Sequence, residues 1–264
     1  MRCLALIAAL GVMAVHAYAQ DARDLWRGVA LSGETVVVVG ATGRTAQHFI
    51  PQALAAGHRI IALTRKPETF KLQNARVRAE AADVYDLESL KRVLTGKEVV
   101  VSFLGVPDPD LSKGEVPEVD LYSKGAANMV AAMKTRGNRK IIFTTSMGHT
   151  ITPPQSKPDG SDPRLLYFWN VRHIYEDELR AEAVLRASGL DYVIMRPAFI
   201  VQQPSRGHYI ARLSEPYPIN PIITYPDFAA FAVEQVTAKE FVGKAVGVDD
   251  GRVFTLTAKG MSYE

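Results

Sequence analysis

The sequence predicts an α/β domain, doubly wound around a parallel sheet. Three observations carry this expectation. From Glu34 onward, β-branched runs alternate with stretches of helical spacing, and the alternation repeats along the chain. The first run, Thr35 to Val39, is apolar at successive positions, as in a strand covered on both faces. It passes directly into a glycine-bearing turn, Gly40-Ala41-Thr42-Gly43-Arg44-Thr45-Ala46, which opens an amphipathic helix.

The elements follow in order. After the strand Thr35–Val39, Ala46, Phe49, Ile50, Ala53 and Leu54 recur at helical spacing, and Gly57 ends the helix. Pro51 removes a backbone donor there and predicts a kink. Arg59–Thr64 reads as the second strand and Arg76–Glu80 as a short third. Asp86 caps a helix carrying Leu87, Leu90 and Leu94, stopped by Gly96. Glu98–Leu104 is the fourth strand, Leu121–Arg136 a helix closed by Gly137, and Lys140–Thr145 the fifth strand. Residues 147–163, rich in Pro, Ser, Gly and Asp, read as a loop. A long helix over Leu165–Ser188 precedes the sixth strand, Asp191–Met195. Pro197–Pro226 reads as irregular, Asp227–Ala238 as a helix and Arg252–Thr257 as a last strand. Right-handed crossovers then place helices on both faces of one sheet.

The composition, 47% hydrophobic and 22% charged, suits one globular core. The 31 Lys and Arg residues are mixed among 28 Asp and Glu without a long basic run, so no nucleic-acid partner is expected. The N-terminus reads as a separate piece. Arg2, the apolar run Leu4–Val15 and the small-residue site Ala17-Tyr18-Ala19 resemble an export signal. Residues 1–19 are therefore expected to be a signal peptide, 20–33 a linker and 34–264 the domain, with about 197–264 covering the mouth of the sheet. The apolar run is short for a bilayer, so no stable membrane span is expected. An uncleaved anchor and a later start are the alternatives. The protein is exported, periplasmic or secreted, if the signal is real, and cytoplasmic otherwise. The one cysteine, Cys3, falls within the signal and does not decide the compartment.

The glycine turn has the chemistry of a dinucleotide-binding loop. The first glycine permits a tight turn out of the strand. The second lets backbone approach a phosphate, and the small Ala46 lets the helix pack close to the sheet. Unpaired N–H groups and the helix dipole then attract a pyrophosphate. The alternative is a merely structural strand-to-helix turn. The second strand ends in Arg65-Lys66 rather than in a carboxylate. Cations there suit a ribose 2′-phosphate, which favours NADP(H) over NAD(H); a solvated surface pair is the other reading. Asp83, after the third strand, is placed either to accept from an adenine amine or to start the next helix. No HExxH, CxxC or clustered His/Cys pattern suggests a metal.

The stretches VGATGRTA, ALTRK, AADV, VSFLG, YSKGAANMVAAMK, KIIFTTS and DPRLLYFWNVRHIYEDELRAEAVLRASGLDYVIMRPAFI resemble the atypical short-chain dehydrogenases/reductases. Within them, the chain most resembles the NADPH-dependent flavin reductase/biliverdin reductase B family and its NmrA-like relatives, over about residues 36–203. The resemblance implies a Rossmann-like fold, bound NADP(H) and hydride transfer to a small planar substrate such as a flavin, quinone or tetrapyrrole. It implies cofactor contacts at Gly40, Thr42, Gly43, Arg44, Thr45, Arg65, Lys66, Asp83, Val84, Leu104 and Gly105. Thr145, Ser146, Pro197, Ala198 and Phe199 would line the nicotinamide, with His173 facing it from the long helix. Ser146 and His173 are the candidate catalytic residues. For Ser146 a strand-end cap, and for His173 a helix histidine with a backbone or water partner, are the alternatives. Departures are Ala198 where the family often has histidine, Thr144 where it can have cysteine, Ala46 at the third loop glycine and a longer loop over residues 147–161.

The Tyr-x-x-x-Lys dyad of classical members is not found. Tyr122, Tyr167 and Tyr175 are followed four residues on by Ala126, Val171 and Leu179. Tyr192 is followed by Arg196, but in a strand, where those positions lie about 13 Å apart. This favours an NADPH-dependent reductase of planar acceptors, for which the nicotinamide supplies the hydride. The alternative from another class is a non-catalytic, NmrA-like redox sensor, toward which Ala198 leans. A sugar-nucleotide epimerase or dehydratase would need the missing dyad.

Overall fold

The structure is a computed structural model that describes residues 33–106, 114–150, 154–213, 215–218, 220–257 and 260–263. The expected signal peptide, and the expected linker up to residue 32, lie outside the described residues.

The β-branched runs form the strands β1 (Thr35–Val39), β2 (Arg59–Thr64), β3 (Val77–Ala81), β4 (Val99–Ser102), β5 (Lys140–Thr144) and β6 (Asp191–Pro197). Three short strands follow: β7 (Phe199–Val201), β8 (Ile210–Arg212) and β9 (Ile222–Thr224). Last come β10 (Lys244–Asp249), β11 (Phe254–Thr257) and β12 (Gly260–Tyr263). The main sheet has the order β3-β2-β1-β4-β5-β6-β10-β8. All its pairings are parallel except β8 on β10. The strand order reverses between β1 and β4, and ligands of such sheets sit outside the strand ends at that point.

The helices are α1 (Arg44–Ala55), α2 (Leu87–Val93), α3 (Leu121–Arg136), α4 (Pro163–Arg186) and α5 (Tyr225–Gln235). Alternation along β1 sorts them into two layers. Val36 and Val38 join the core built with α1 and α5, whereas Val37 and Val39 join the core built with α2, α3 and α4. A strand buried on both faces therefore reads as an unbroken apolar run.

Three expectations are corrected. The sheet is mixed, because β8 is antiparallel at its edge. The stretch expected to be irregular, Pro197–Pro226, contains β7, β8 and β9. Each has three residues, too few for periodicity to register. β10 was not anticipated, because Gly247 breaks its apolar run; a Cβ there would meet Tyr217 Cε1 at 2.6 Å and Met147 Cε at 2.7 Å. The helix α1 contains Pro51 within its span. Pro51 is exposed, so the carbonyl it leaves unpaired is on the solvent side.

Asp86 and Asp162 cap α2 and α4, and Thr224 caps α5. The start of α3 is held differently. Asp177, on α4 and fully buried, accepts from the backbone N–H of Tyr122 at 2.8 Å and of Ser123 at 3.4 Å. One buried carboxylate thus ties two helices of one layer together. Asp177→Ala is expected to cost about 2–3 kcal/mol in urea unfolding, through the lost cap and the orphaned N–H groups. An unchanged midpoint would remove Asp177 from this role.

Candidate dinucleotide site

Gly40 leaves β1 at φ 74°, and a Cβ there would lie 2.6 Å from the carbonyl oxygen of Phe103, just past β4. The turn closes with Gly43 N–H donating to Gly40 O at 2.9 Å. Gly43 stands at the N-cap of α1 in extended conformation without a side-chain cap, and the first turn carries no acidic residue. The first N–H groups of α1 are therefore not taken by the N-cap side chain, and no carboxylate of that turn repels an anion. Thr42, Gly43 and Arg44 are exposed at this mouth and Thr45 is half-buried. The Arg44 guanidinium sits over the Tyr225 ring at 5.2 Å, and His48 stacks on the same ring. A tight, glycine-walled turn at the strand-order reversal fits a dinucleotide pyrophosphate.

The remaining expected contacts fall along the carboxyl edge of the sheet. Arg65 and Lys66 are exposed after β2. Asp83 Oδ1 accepts from Tyr85 N–H at 2.9 Å, which gives that carboxylate a turn-forming role. Val84 O accepts from Asn128 Nδ2 at 2.8 Å, and Val84 and Leu104 meet over Gly125 of α3, where a Cβ would lie 2.7 Å from Leu104 Cδ1. Gly105 lies beside the Tyr122 hydroxyl. Ala198 is buried and its N–H donates to Val248 O at 2.8 Å, whereas the Phe199 ring turns to Phe254 at 5.3 Å between centroids.

His173 and Ser146 are placed differently. His173 sits on α4 with Nδ1 2.9 Å from Glu176 and Nε2 3.2 Å from Glu115. Its ring is thus engaged by two carboxylates. Ser146 follows β5, level with Pro197 at the end of β6, where Met147 N–H donates to Pro197 O at 3.0 Å. Ser146 Oγ bonds Glu178 Oε2 at 2.6 Å.

Glu178 belongs to a buried polar cluster that the sequence reading did not single out. One turn along α4, Glu182 accepts from Thr145 Oγ1 at 3.0 Å, and from Arg196 Nε at 2.9 Å and Nη2 at 2.7 Å. It also accepts from Arg186 Nη2 at 3.0 Å and meets His149 Nε2 at 2.9 Å. Burial alone would raise the Glu182 carboxyl, but the bonds from His149 and Arg196 outweigh it and hold it well below the usual range. An ionised carboxylate has no proton to offer, so His149 Nε2 is the donor in that pair. Burial raises the Glu178 carboxyl to about 8 against the Ser146 bond, and the Glu182 and Asp177 charges add to the rise. Two carboxyls one turn apart are thus split, one charged and one neutral at pH 7. The available signal was periodicity: Glu178 and Glu182 share the buried face of α4 with Val171, Ile174, Ala181 and Leu185.

A family model for NAD(P)H-binding proteins matches residues 40–239. Cinnamoyl-CoA reductase 1 of Petunia hybrida is 25% identical over 193 residues, 66% of this chain and 56% of that protein. The chain thus spans little more than half the length of that relative. A short-chain dehydrogenase/reductase from Veillonella parvula, solved in complex with NADP, superposes with a TM-score of 0.64 at 18% identity, covering 83% of this chain and 95% of that one. The anaerobillin reductase ChuY of Escherichia coli superposes with a TM-score of 0.64 at 16% identity, covering 82% and 97%. The two solved structures share the fold. The glycine turn, its place at the strand-order reversal and the family match together make this chain a member of the NAD(P)H-binding family.

Proposed function

We propose that the protein is an NADPH-dependent reductase of a small planar acceptor, a flavin, quinone or tetrapyrrole. The observation that carries this reading is the uncapped, glycine-walled start of α1 at the strand-order reversal, with Arg65 and Lys66 exposed after the neighbouring β2. Gly40, Gly43 and the first N–H groups of α1 hold the pyrophosphate. Arg65 grips the 2′-phosphate, supported by Lys66. When bound, the reduced dinucleotide supplies the hydride. The protein then has to align the acceptor over the edge formed by Leu104, Thr145, Ser146 and Pro197, and to deliver a proton. The NADP-bound fold neighbour and the reductase ChuY lend support as relatives in fold.

Thermal-shift titration tests the cofactor. NADPH is expected to raise the melting temperature by several degrees, as about 2.7 kcal/mol at a hundredfold excess over Kd requires, with NADH giving little. Arg65→Ala is expected to weaken NADPH binding about tenfold or more and to leave NADH unchanged. Equal losses for both dinucleotides would place the 2′-phosphate elsewhere. Oxidation of NADPH with flavin mononucleotide, p-benzoquinone or biliverdin then tests the reaction. Tight binding without turnover on any of them would favour the redox-sensor reading, consistent with Ala198 at the nicotinamide edge.

A further inference from the structure

We propose that Ser146 and Glu178 form a proton relay into the dinucleotide site, in which Ser146 hands a proton to the acceptor and Glu178 restores it. This rests on the reductase reading above. Hydride addition leaves the acceptor one proton short, and the classical tyrosine–lysine pair is missing from α4. Glu178 is 4% exposed, and Ser146, bonded to it at 2.6 Å, is partly open at the carboxyl edge of the sheet. Ser146 is therefore a hydrogen-bonded route from the buried carboxyl to the site.

The atoms balance. The Ser146 O–H bond breaks as the proton bonds to the acceptor. The Glu178 carboxyl O–H then transfers its proton to Ser146 Oγ and becomes a carboxylate. Water returns one proton to Glu178 after product leaves, so each turnover consumes one hydride and one solvent proton.

The surroundings keep that proton in place. Asp177, Glu182 and Tyr175 face Glu178 from α4, Tyr122 from α3, and Arg196 from β6. Arg196 alone is cationic, and it is held bidentately by Glu182. Glu178 thus has two acidic neighbours, no ion-pair partner among the described residues and a buried setting. These conditions keep a carboxyl neutral up to about 8. The sign follows: the relay is loaded below that pH and empties above it. The same proton stabilises the fold fully below the ordinary carboxylate range, and that contribution is lost as pH rises through about 8.

The full chain with NADPH, and flavin mononucleotide or p-benzoquinone as acceptor, tests the proposal. Wild-type kcat is expected to fall above about pH 8, following Glu178. Glu178→Gln is near-isosteric, and is expected to lower kcat at pH 7 by about a hundredfold and to remove that limb. Ser146→Ala is expected to do the same. NADPH affinity, measured alongside, is expected to change little in either variant, and the melting temperature little in Glu178→Gln. Infrared difference spectra between pH 7 and pH 10 are expected to show a protonated carboxyl band in wild type that Glu178→Gln lacks. If wild type turns over but Glu178→Gln retains its rate and pH limb, the relay is overturned and the reductase reading stands. If wild type binds NADPH and reduces no acceptor, the reductase reading falls and the relay with it.

Discussion

Glu182→Ala is expected to lower the melting temperature by about 6–20 °C. The deletion strands Arg196, which is 8% exposed and donates to Glu182 through Nε and Nη2. Removing one partner of a buried ion pair costs about 3–5 kcal/mol, because the remaining charge keeps its desolvation penalty. For a domain of this size each kcal/mol corresponds to about 2–4 °C. Arg196 keeps its bond to Glu215, at 2.9 Å, a half-exposed glutamate, and a long one to the Tyr217 hydroxyl at 3.4 Å. Thr145 and His149 lose the same acceptor, so the damage reaches the end of β5 beside Ser146. The double variant Glu182→Met with Arg196→Met distinguishes the charge from the packing. It is expected to recover a large part of the loss, since a well-packed apolar pair replaces a buried ion pair at little cost. If the double variant is as unstable as Glu182→Ala, the shape of the side chains rather than the stranded charge sets the penalty.

The wound sheet and the phosphate turn were legible in the sequence because each rests on local chemistry. Val36 to Val39 announces a doubly covered strand, and Gly40 and Gly43 sit where the chain must turn without a Cβ. The stops of α1 and α3 were equally local, since Gly57 and Gly137 have positive φ, whereas α2 already ends at Val93, before Gly96. What escaped depends on contacts distant in sequence. Arg196 on β6 and Glu182 on α4 are fourteen positions apart, and His149 comes from a turn that periodicity does not describe. The edge strand β8 pairs with β10 across thirty-odd residues, and neither has a pattern of its own. Glu178 was visible as an acid on an apolar face, but its bond to Ser146 spans thirty-two positions and exists only once β5 and α4 are packed.

Gly40→Ala is expected to abolish NADPH binding and to destabilise the protein by about 2–4 kcal/mol. The backbone at φ 74° is left-handed, which costs a residue with a Cβ about 1–2 kcal/mol, and the new methyl would overlap the Phe103 carbonyl at 2.6 Å. That carbonyl is backbone and cannot turn aside, so β1 and β4 must part where the dinucleotide would enter. Gly43→Ala separates folding from binding. Gly43 has φ −72°, which any residue adopts, and a Cβ there would meet only Gly40 O, at 3.1 Å. Its melting temperature is therefore expected to stay within a few degrees of wild type. Its methyl nevertheless stands at the uncapped start of α1, where the phosphate must approach backbone. Loss of the NADPH-induced thermal shift in both variants, with instability only in Gly40→Ala, would locate the pyrophosphate on this turn. A Gly43→Ala protein that binds NADPH like wild type would move the dinucleotide away from it.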